Sequence, residues 1–191
     1  MAKFLAARPR QASNTPDELS ELSAEVLRTL IPGDYCLLPI PGQEGGSIPG
    51  ACQCILMLHE RGIFVFLYIR QFGLIHGDIW KNTWTSTNIM GDQTYFASPY
   101  VRNRENIRVL SQILKLPEDK FHSCIVFNSE CDIRKAPKSS LLSVIHIEQL
   151  ESHFDRLLPK HPVQYTHTQL EALRDIFLCV TTNGRTTQPP Q

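Results

Sequence analysis

Three polar residues close the apolar run in the stretch RGIFVFLYIRQFG, which spans residues 61–73. They are Tyr68, Arg70 and Gln71, and they stand where a catalytic strand often carries the ligands of a metal ion. A hard divalent cation such as Mg²⁺ binds carboxylate oxygens, which none of these side chains supplies. The stretch therefore looks like the strand of an active site, but it lacks the residue types of a metal centre.

Carboxylates elsewhere in the chain are the alternative source of metal ligands. The candidates are Glu21, Asp34, Glu60, Asp78 and Asp92. Glu60 falls in the turn HERG, at the wrong end of the flanking strands, whereas Asp78 in HGDIW can approach from a neighbouring strand. A relocated metal-dependent site with Mg²⁺ as its cofactor therefore stays open as an alternative, and apart from it the sequence predicts no cofactor.

Cysteine spacing does not favour a zinc or nucleophile site. Cys52 and Cys54 are the one close pair among the six cysteines, and their C-x-C spacing differs from the C-x2-C of common zinc sites. Cys54 with His76, on what we expect to be an adjacent strand, is the one nucleophile–base pair that the order of the elements suggests. Apolar surroundings predict reduced, buried thiols at Cys36, Cys124 and Cys179.

A basic segment, YVRNRENIR, offers a different chemistry. Arg102, Arg104 and Arg108 can contact phosphate groups if their helix faces a nucleic-acid groove. The alternative is a solvated helix face, because Glu105 stands among the three arginines. The whole chain carries 19 basic and 19 acidic side chains, so its net charge is zero, which argues against a general nucleic-acid binder.

The order of elements that must position these residues can be read from the apolar pattern. Residues 1–15 predict a flexible tail, residues 16–180 a single domain and residues 181–191 a disordered tail. Within the domain we expect a helix from Pro16 to about Leu30, a strand in YCLLPI and a β-hairpin with its turn at His59–Gly62. A third strand is expected around LIHGDIWKN.

The second half of the domain predicts a helix, a buried strand, a strand running into a helix and a final helix. Their sequences are SPYVRNRENIRVLSQILKL, HSCIVFNS, SVIHIEQLESHFDRLL and THTQLEALRDIFLCV. The apolar side of the first of these helices is expected to hold Val101, Ile107, Leu110, Ile113 and Leu114. A strand that follows a helix indicates a βαβ crossover, so we expect an α/β domain with one central mixed sheet flanked by helices.

In order and spacing, these segments resemble the nuclease-related domain (NERD), a family of the restriction-endonuclease-like PD-(D/E)xK superfamily. The resemblance runs from about Glu21 to about Leu158. The hairpin CQCILMLHERGIFVFLYIRQFGLIHGDIW resembles the family's Asp-His strand followed by its Glu-x-Lys strand. SPYVRNRENIRVLSQIL resembles the helix that in the family commonly begins Asn-Pro and carries a Gln. The resemblance implies a restriction-endonuclease-like central mixed sheet.

The resemblance also implies a site in which an Asp and a Glu on adjacent strands bind Mg²⁺ and a Lys positions the attacking water. Placed on that pattern, Gln53 stands for the Asp, Tyr68 for the Glu and Arg70 for the Lys. Arg102 stands for the helix Gln, and Glu21 alone matches an acidic position. Gln and Tyr are neutral at pH 7 and Arg cannot act as a base, so the resemblance implies that the standard catalytic centre is absent.

The sequence therefore predicts a catalytically inactive, nuclease-related binding module, with a protein as its first expected partner. Small stand-alone domains of this kind suit mobile-element, plasmid-transfer or regulatory contexts. A nucleic-acid-binding remnant that uses Arg70, Arg102, Arg104 and Arg108 is the second hypothesis, and a nuclease with displaced carboxylates is the third. No apolar run is long enough for a membrane span and the N-terminus lacks a secretory signal, so we expect a soluble, cytoplasmic protein.

Overall fold

A computed structural model describes residues 33–40, 52–137 and 139–183. The predicted opening helix with Glu21, the N-terminal tail, the Gly- and Pro-rich loop after Ile40 and residues 184–191 of the predicted C-terminal tail lie outside these residues. Residues 181–183, predicted as the start of that tail, instead form the end of the last helix. Within the described residues the chain forms nine strands, three α-helices and three short 3-10 turns.

The larger sheet contains five strands in the order β1-β2-β3-β7-β9. Its strands are β1 (Tyr35–Ile40), β2 (Cys54–His59), β3 (Gly62–Ile69), β7 (Phe121–Phe127) and β9 (Leu142–His146). The first three pair antiparallel, and β7 and β9 continue the sheet in parallel. Every residue of β2, β3 and β7 is buried, as expected for central strands that are covered on both faces.

The predicted hairpin and crossover are both confirmed. His59 pairs with Gly62, so the β2–β3 turn consists of Glu60 and Arg61. Helix α1 (Pro99–Leu114) lies between the parallel strands β3 and β7 in the chain and packs on both. The α/β class with helices flanking a mixed sheet is thus the observed architecture.

A second sheet, which the sequence did not predict, follows β3. Its order is β6-β5-β4-β8, with β4 (Gly73–His76), β5 (Thr83–Thr87), β6 (Gln93–Ala97) and β8 (Cys131–Lys135). The five-stranded sheet is the expected central mixed sheet, and the four-stranded sheet is an addition to it. The segment around LIHGDIWKN, expected as a strand beside the hairpin, contributes β4 to this second sheet.

Three apolar clusters hold the layers together. Helices α1 and α3 (His167–Asn183) cover the face of β3 that carries Ile63 and Val65. Further along the same face, Leu67 and Ile69 pack against the second sheet around Trp84. Helix α2 (Leu150–Leu157) covers the opposite face, which carries Phe64, Phe66 and Tyr68.

Two burial predictions need correction. Val101 is exposed because it lies on the outer side of α1, while Ile107, Leu110 and Leu114 are buried as predicted. Cys179 is also exposed, near the end of α3, and Cys36 is only partly buried, whereas the burial of Cys124 is confirmed. None of the helices in the described ranges is long and apolar enough to cross a membrane.

Candidate functional site

Gln53 and Tyr68 lie near the same end of the β2–β3 hairpin. Ile55 and Phe66 form the last pair of the antiparallel ladder at this end. Tyr68 lies two residues further along β3, whereas Gln53 comes immediately before Cys54, the first residue of β2. The positions assigned to the family's Asp and Glu are therefore both beyond the paired part of the hairpin.

Tyr68 lies inside the core. Its side chain is 4% exposed and belongs to the apolar cluster that contains Phe66 and Phe154 of helix α2. Arg70 follows Ile69, the last residue of β3, and is exposed. Side chains alternate along an extended chain, so a straight continuation of β3 past Ile69 places Arg70 on the same side of the sheet as Tyr68.

Arg102 lies in helix α1, which covers the opposite face of the sheet. The helix begins at Ser98, whose hydroxyl accepts a hydrogen bond from the Val101 N–H at 3.4 Å, and Pro99 occupies the first turn. Arg102 is partly buried one helical turn before Asn106. A single pocket that contains both Arg70 and Arg102 would therefore have to reach around the end of the sheet.

Two asparagines that the sequence analysis did not select fix this end of α1. Asn103 and Asn106 are fully buried. The Asn103 Nδ2 donates to the Val65 carbonyl at 2.9 Å and to the Ser123 hydroxyl at 2.8 Å, which links α1 to β3 and β7. The Asn106 Oδ1 accepts from the Cys52 N–H at 2.7 Å, immediately before Gln53. These amides hold the helix and the hairpin strands in one arrangement.

The candidate carboxylates are dispersed over separate elements. Asp78 accepts from the Trp80 N–H at 2.9 Å in the β4–β5 loop, and Asp92 accepts from the Asn88 amide at 3.0 Å in the β5–β6 turn. Glu60 lies in the β2–β3 turn, 3.5 Å from Arg61, and Asp34 lies 3.5 Å from His167. Within the described ranges no three His, Cys, Asp or Glu residues gather in a way that could hold a metal ion.

The arginine patch is weaker than its residue types suggest. Arg104 is exposed, but Arg108 forms a bidentate ion pair with Glu105, with Nε–Oε distances of 3.0 and 3.1 Å. Hydrogen bonding to Arg108 lowers the pKa of Glu105, so this carboxylate is charged at neutral pH and offsets the guanidinium. Of the three helix arginines, Arg108 therefore presents little net positive charge.

The Cys54–His76 hypothesis is wrong. Cys54 begins β2 in the five-stranded sheet, whereas His76 ends β4 in the other sheet, where it is exposed. Burial raises the pKa of the Cys54 thiol, which keeps it protonated and unreactive at neutral pH.

A chain of hydrogen bonds from the buried His122 to the partly buried His153 is a further polar feature that the sequence analysis missed. The His122 Nε2 lies 2.8 Å from the Ser143 hydroxyl, which lies 2.9 Å from the His153 Nε2. His122 is on β7, Ser143 is on β9 and His153 is on α2. In the sequence, the polar residues His122 and Ser143 within the apolar runs HSCIVF and LSVIH could have indicated this feature.

Exposed apolar side chains mark the second sheet. Ile89 is 100% and Met90 81% exposed at the tip of the β5–β6 hairpin, and Phe72 is 59% exposed just before β4. The Ser86 hydroxyl of β5 donates to the Phe72 carbonyl, so Phe72 is beside the strand that leads to that tip. We call Phe72, Ile89 and Met90 the hairpin surface.

Comparison with known proteins agrees with the resemblance seen in the sequence. Residues 55–128, from the second residue of β2 to the residue after β7, match the model of the nuclease-related domain. Tyr68, Arg70 and Arg102 lie within the match, whereas Gln53 and Glu21 lie before it. No curated protein and no solved structure matches the chain.

Proposed function

We propose that this protein, whose residues 55–128 match the nuclease-related domain, is a binding module. It keeps the fold of such a nuclease without its metal-dependent cleavage. The observation that carries the proposal is the burial of Tyr68 at the strand position assigned to the metal-binding Glu. Its side chain is 4% exposed and lies in an apolar cluster under helix α2.

The residue types around Tyr68 support the same proposal. A phenol is neutral at pH 7 and does not supply the negative charge that holds Mg²⁺. Gln53, immediately before β2, is neutral, and Arg70 adds a positive charge two residues after Tyr68. A divalent cation at this end of the sheet would therefore meet a guanidinium group without the two carboxylates that normally bind it.

The hairpin surface favours a protein as the partner. Exposed apolar side chains that lie close together commonly mark protein–protein contacts, and a few large ones contribute most of the binding energy. Ile89 and Met90 stand at a hairpin tip, and Phe72 is two residues from Arg70. A partner that offers an apolar groove with an acidic rim suits this combination.

An assay of DNA and RNA cleavage tests the first half of the proposal. The purified protein is incubated with supercoiled, linear and single-stranded DNA and with RNA, in the presence of Mg²⁺ or Mn²⁺. We expect no cleavage above the level of a mock purification. Metal-dependent cleavage that disappears in Asp78→Asn or Glu21→Gln would overturn the proposal and establish a relocated active site.

The second half of the proposal, that the partner is a protein, is tested by comparing the partners that matched variants retain. Wild type, an Ile89→Asp/Met90→Asp variant and an Arg70→Glu variant are used as bait, with Val163→Asp as the control because Val163 is 58% exposed elsewhere on the surface. We expect a protein that wild type and the control retain and both other variants lose. The binary complex, reconstituted from purified components, must show the same order of affinity by calorimetry.

Two results would contradict a protein-binding role. One is a reconstituted complex that binds the Ile89→Asp/Met90→Asp variant as tightly as wild type. The other is a gel shift with nucleic acid whose affinity falls steeply with salt and is lost on Arg102→Ala/Arg104→Ala, which would identify the phosphate-binding alternative. The cytoplasmic location and the mobile-element or plasmid-transfer context stay predictions, and the identity of the partner tests both.

A further inference from the structure

A cavity of about 160 Å³ lies at the end of the five-stranded sheet opposite to Arg70. It is formed where the β2–β3 turn meets the start of β7 and the segment before α3. Its polar lining consists of Arg61, Asp119, Lys120, His122, His161 and Gln164. The space is far larger than one water molecule requires, and it accommodates a group of the size of phosphate.

The walls of the cavity are fixed by hydrogen bonds. The Arg61 Nη1 donates to the His161 carbonyl at 2.8 Å, and the Gln164 side-chain amide donates to the Arg61 carbonyl at 3.2 Å. The backbone N–H groups of Gln164 and Tyr165 donate to the Glu60 carbonyl at 2.7 and 3.0 Å. The segment before α3 is therefore held on the hairpin turn, which keeps the guanidinium and the imidazole of His161 in place.

His122 contributes an incompletely satisfied imidazole to the lining. Its Nε2 bonds the Ser143 hydroxyl, whereas its Nδ1 is buried without a hydrogen-bond partner. A buried polar atom without a partner costs free energy, so a group that hydrogen-bonds to Nδ1 in this cavity would be stabilised there. The His161 ring stands edge-on to His122, with 6.3 Å between the ring centroids.

The fixed charges around His122 nearly cancel one another. Arg61 lies 3.5 Å from Glu60, and Lys120 is next to Asp119. The other titratable groups that face His122 are imidazoles: His161 across the cavity, His153 behind Ser143 and His59 on the far side of Phe64. Protonation of an imidazole in this group therefore adds a positive charge that the fixed charges do not offset.

We propose that this cavity binds a phosphate-sized oxyanion through the N–H donors of Arg61 and Lys120, and that protonation of His122 strengthens the binding. The chemical class of the ligand is inorganic phosphate or a small phosphomonoester. The site lies at the start of β3, whereas Arg70 and the hairpin surface follow the end of that strand. It is therefore independent of the proposed binding role.

The dependence on pH follows from the environment of His122. Burial, together with the nearby His161 and His153, lowers its pKa to about 4 in the free protein. A bound anion favours the charged imidazole and raises that pKa. The affinity therefore increases as the pH falls, because the bound state takes up a proton that the free state does not hold.

The experiment is an NMR titration of the histidine side-chain signals with sulfate, inorganic phosphate or glycerol 3-phosphate. Sulfate stays a dianion over the whole range, so its pH dependence reports the protein alone. We expect saturable shifts of the His122 and His161 signals and tighter binding at pH 5 than at pH 8. Tighter binding of glycerol 3-phosphate than of inorganic phosphate identifies a phosphomonoester as the ligand, and the reverse order identifies free phosphate.

Charge variants separate a specific site from general effects. Lys120→Ala should weaken sulfate binding about two- to fivefold, the range for one exposed charge pair, because Lys120 is exposed at the rim of the cavity. Asp119→Asn removes a negative charge from the lining and should strengthen binding, a result that misfolding cannot produce. Lys81→Ala, which removes an exposed charge from the β4–β5 loop, is the control and should not change the affinity.

Either of two results would overturn the proposal. One is the absence of saturable histidine shifts with all three anions. The other is an equal response of the Lys120, Asp119 and Lys81 variants, which would indicate a salt effect on the whole molecule.

Discussion

Replacing Asn103 by Ala should destabilise the protein strongly, because this side chain joins α1 to two strands. Its Nδ2 donates to the Val65 carbonyl at 2.9 Å and to the Ser123 hydroxyl at 2.8 Å, and its Oδ1 lies 3.4 Å from the Asn106 amide. The residue is fully buried, so water does not replace these partners in the variant.

The magnitude follows from the hydrogen bonds that are lost. Removing one partner of a buried hydrogen bond costs about 1–3 kcal/mol, and Asn103 donates two such bonds. Alanine is a better helix former than Asn by about 0.6 kcal/mol, which offsets part of the loss. We therefore expect the free energy of unfolding to fall by about 2–5 kcal/mol, a large share of the roughly 5–15 kcal/mol of an ordinary domain.

Urea unfolding followed by tryptophan fluorescence and by circular dichroism measures this change. Gln112→Ala is the matched control, because Gln112 is exposed on the same helix and its replacement should alter the free energy by no more than about 0.5 kcal/mol. A double-mutant cycle with Ser123→Ala isolates the bond to β7. A loss below about 0.5 kcal/mol for Asn103→Ala would refute the view that this amide fixes the helix.

Three further predictions test other parts of the structure. The pKa of His122 is lowered to about 4 from 6.5, so the unfolded chain takes up a proton at a higher pH than the folded protein does. The free energy of unfolding, measured with urea, should therefore be highest above pH 6.5 and decline by about 3 kcal/mol towards pH 4. The His122→Gln variant should lack this decline. A thiol reagent should modify the exposed Cys179 of the folded protein first. Cys54 and Cys124 should react only on unfolding, because burial raises the pKa of both thiols. Fast labelling that is unchanged in Cys179→Ser would contradict this prediction. Gly73→Ala should destabilise the protein more than Gly91→Ala in the same unfolding assay. Both glycines have positive φ (75° and 88°), but only at Gly73 does an added Cβ collide with the Thr87 carbonyl. Equal losses of stability would show that backbone strain alone decides the effect.

The first sheet could be predicted from the sequence because its signals are local. Two apolar runs around HERG determine the hairpin, and a buried strand after an amphipathic helix determines the crossover. The strands of the second sheet, such as TWTST and QTYFA, are short, polar on one face and partly exposed, so hydrophobicity does not distinguish them from loops. Their pairing depends on contacts with Ile69, Phe127 and Trp84 that only the folded chain brings together.

The sequence was enough to place the hairpin but not to show which side chains of the candidate site are buried. The turn at His59–Gly62 determines the pairing from His59–Gly62 to Ile55–Phe66, and Gln53 and Tyr68 lie beyond these pairs. No local pattern shows that α2 covers Tyr68 or that Asn103 and Asn106 face the sheet, since Asn in an amphipathic helix normally points to solvent. The link from His122 to Ser143 likewise depends on the parallel pairing of β7 and β9, which are adjacent in space but separated along the chain.

The burial of Tyr68 also bears on the proposed binding role. Phe66 and Phe154 belong to the same apolar cluster as Tyr68, at the position that the resemblance to the nuclease-related domain assigns to a metal-binding Glu. A carboxylate placed in this environment would have a raised pKa through desolvation and would be neutral near pH 7, so it would bind a divalent cation poorly. The side chain at this position now stabilises the packing of α2 on the sheet. Polar and apolar groups that can meet a partner are instead at the edges of the molecule, at Arg70 and the hairpin surface. Under the proposed binding role, Tyr68 and its neighbours in β3 stabilise the fold, and the partner is bound at the surface around them.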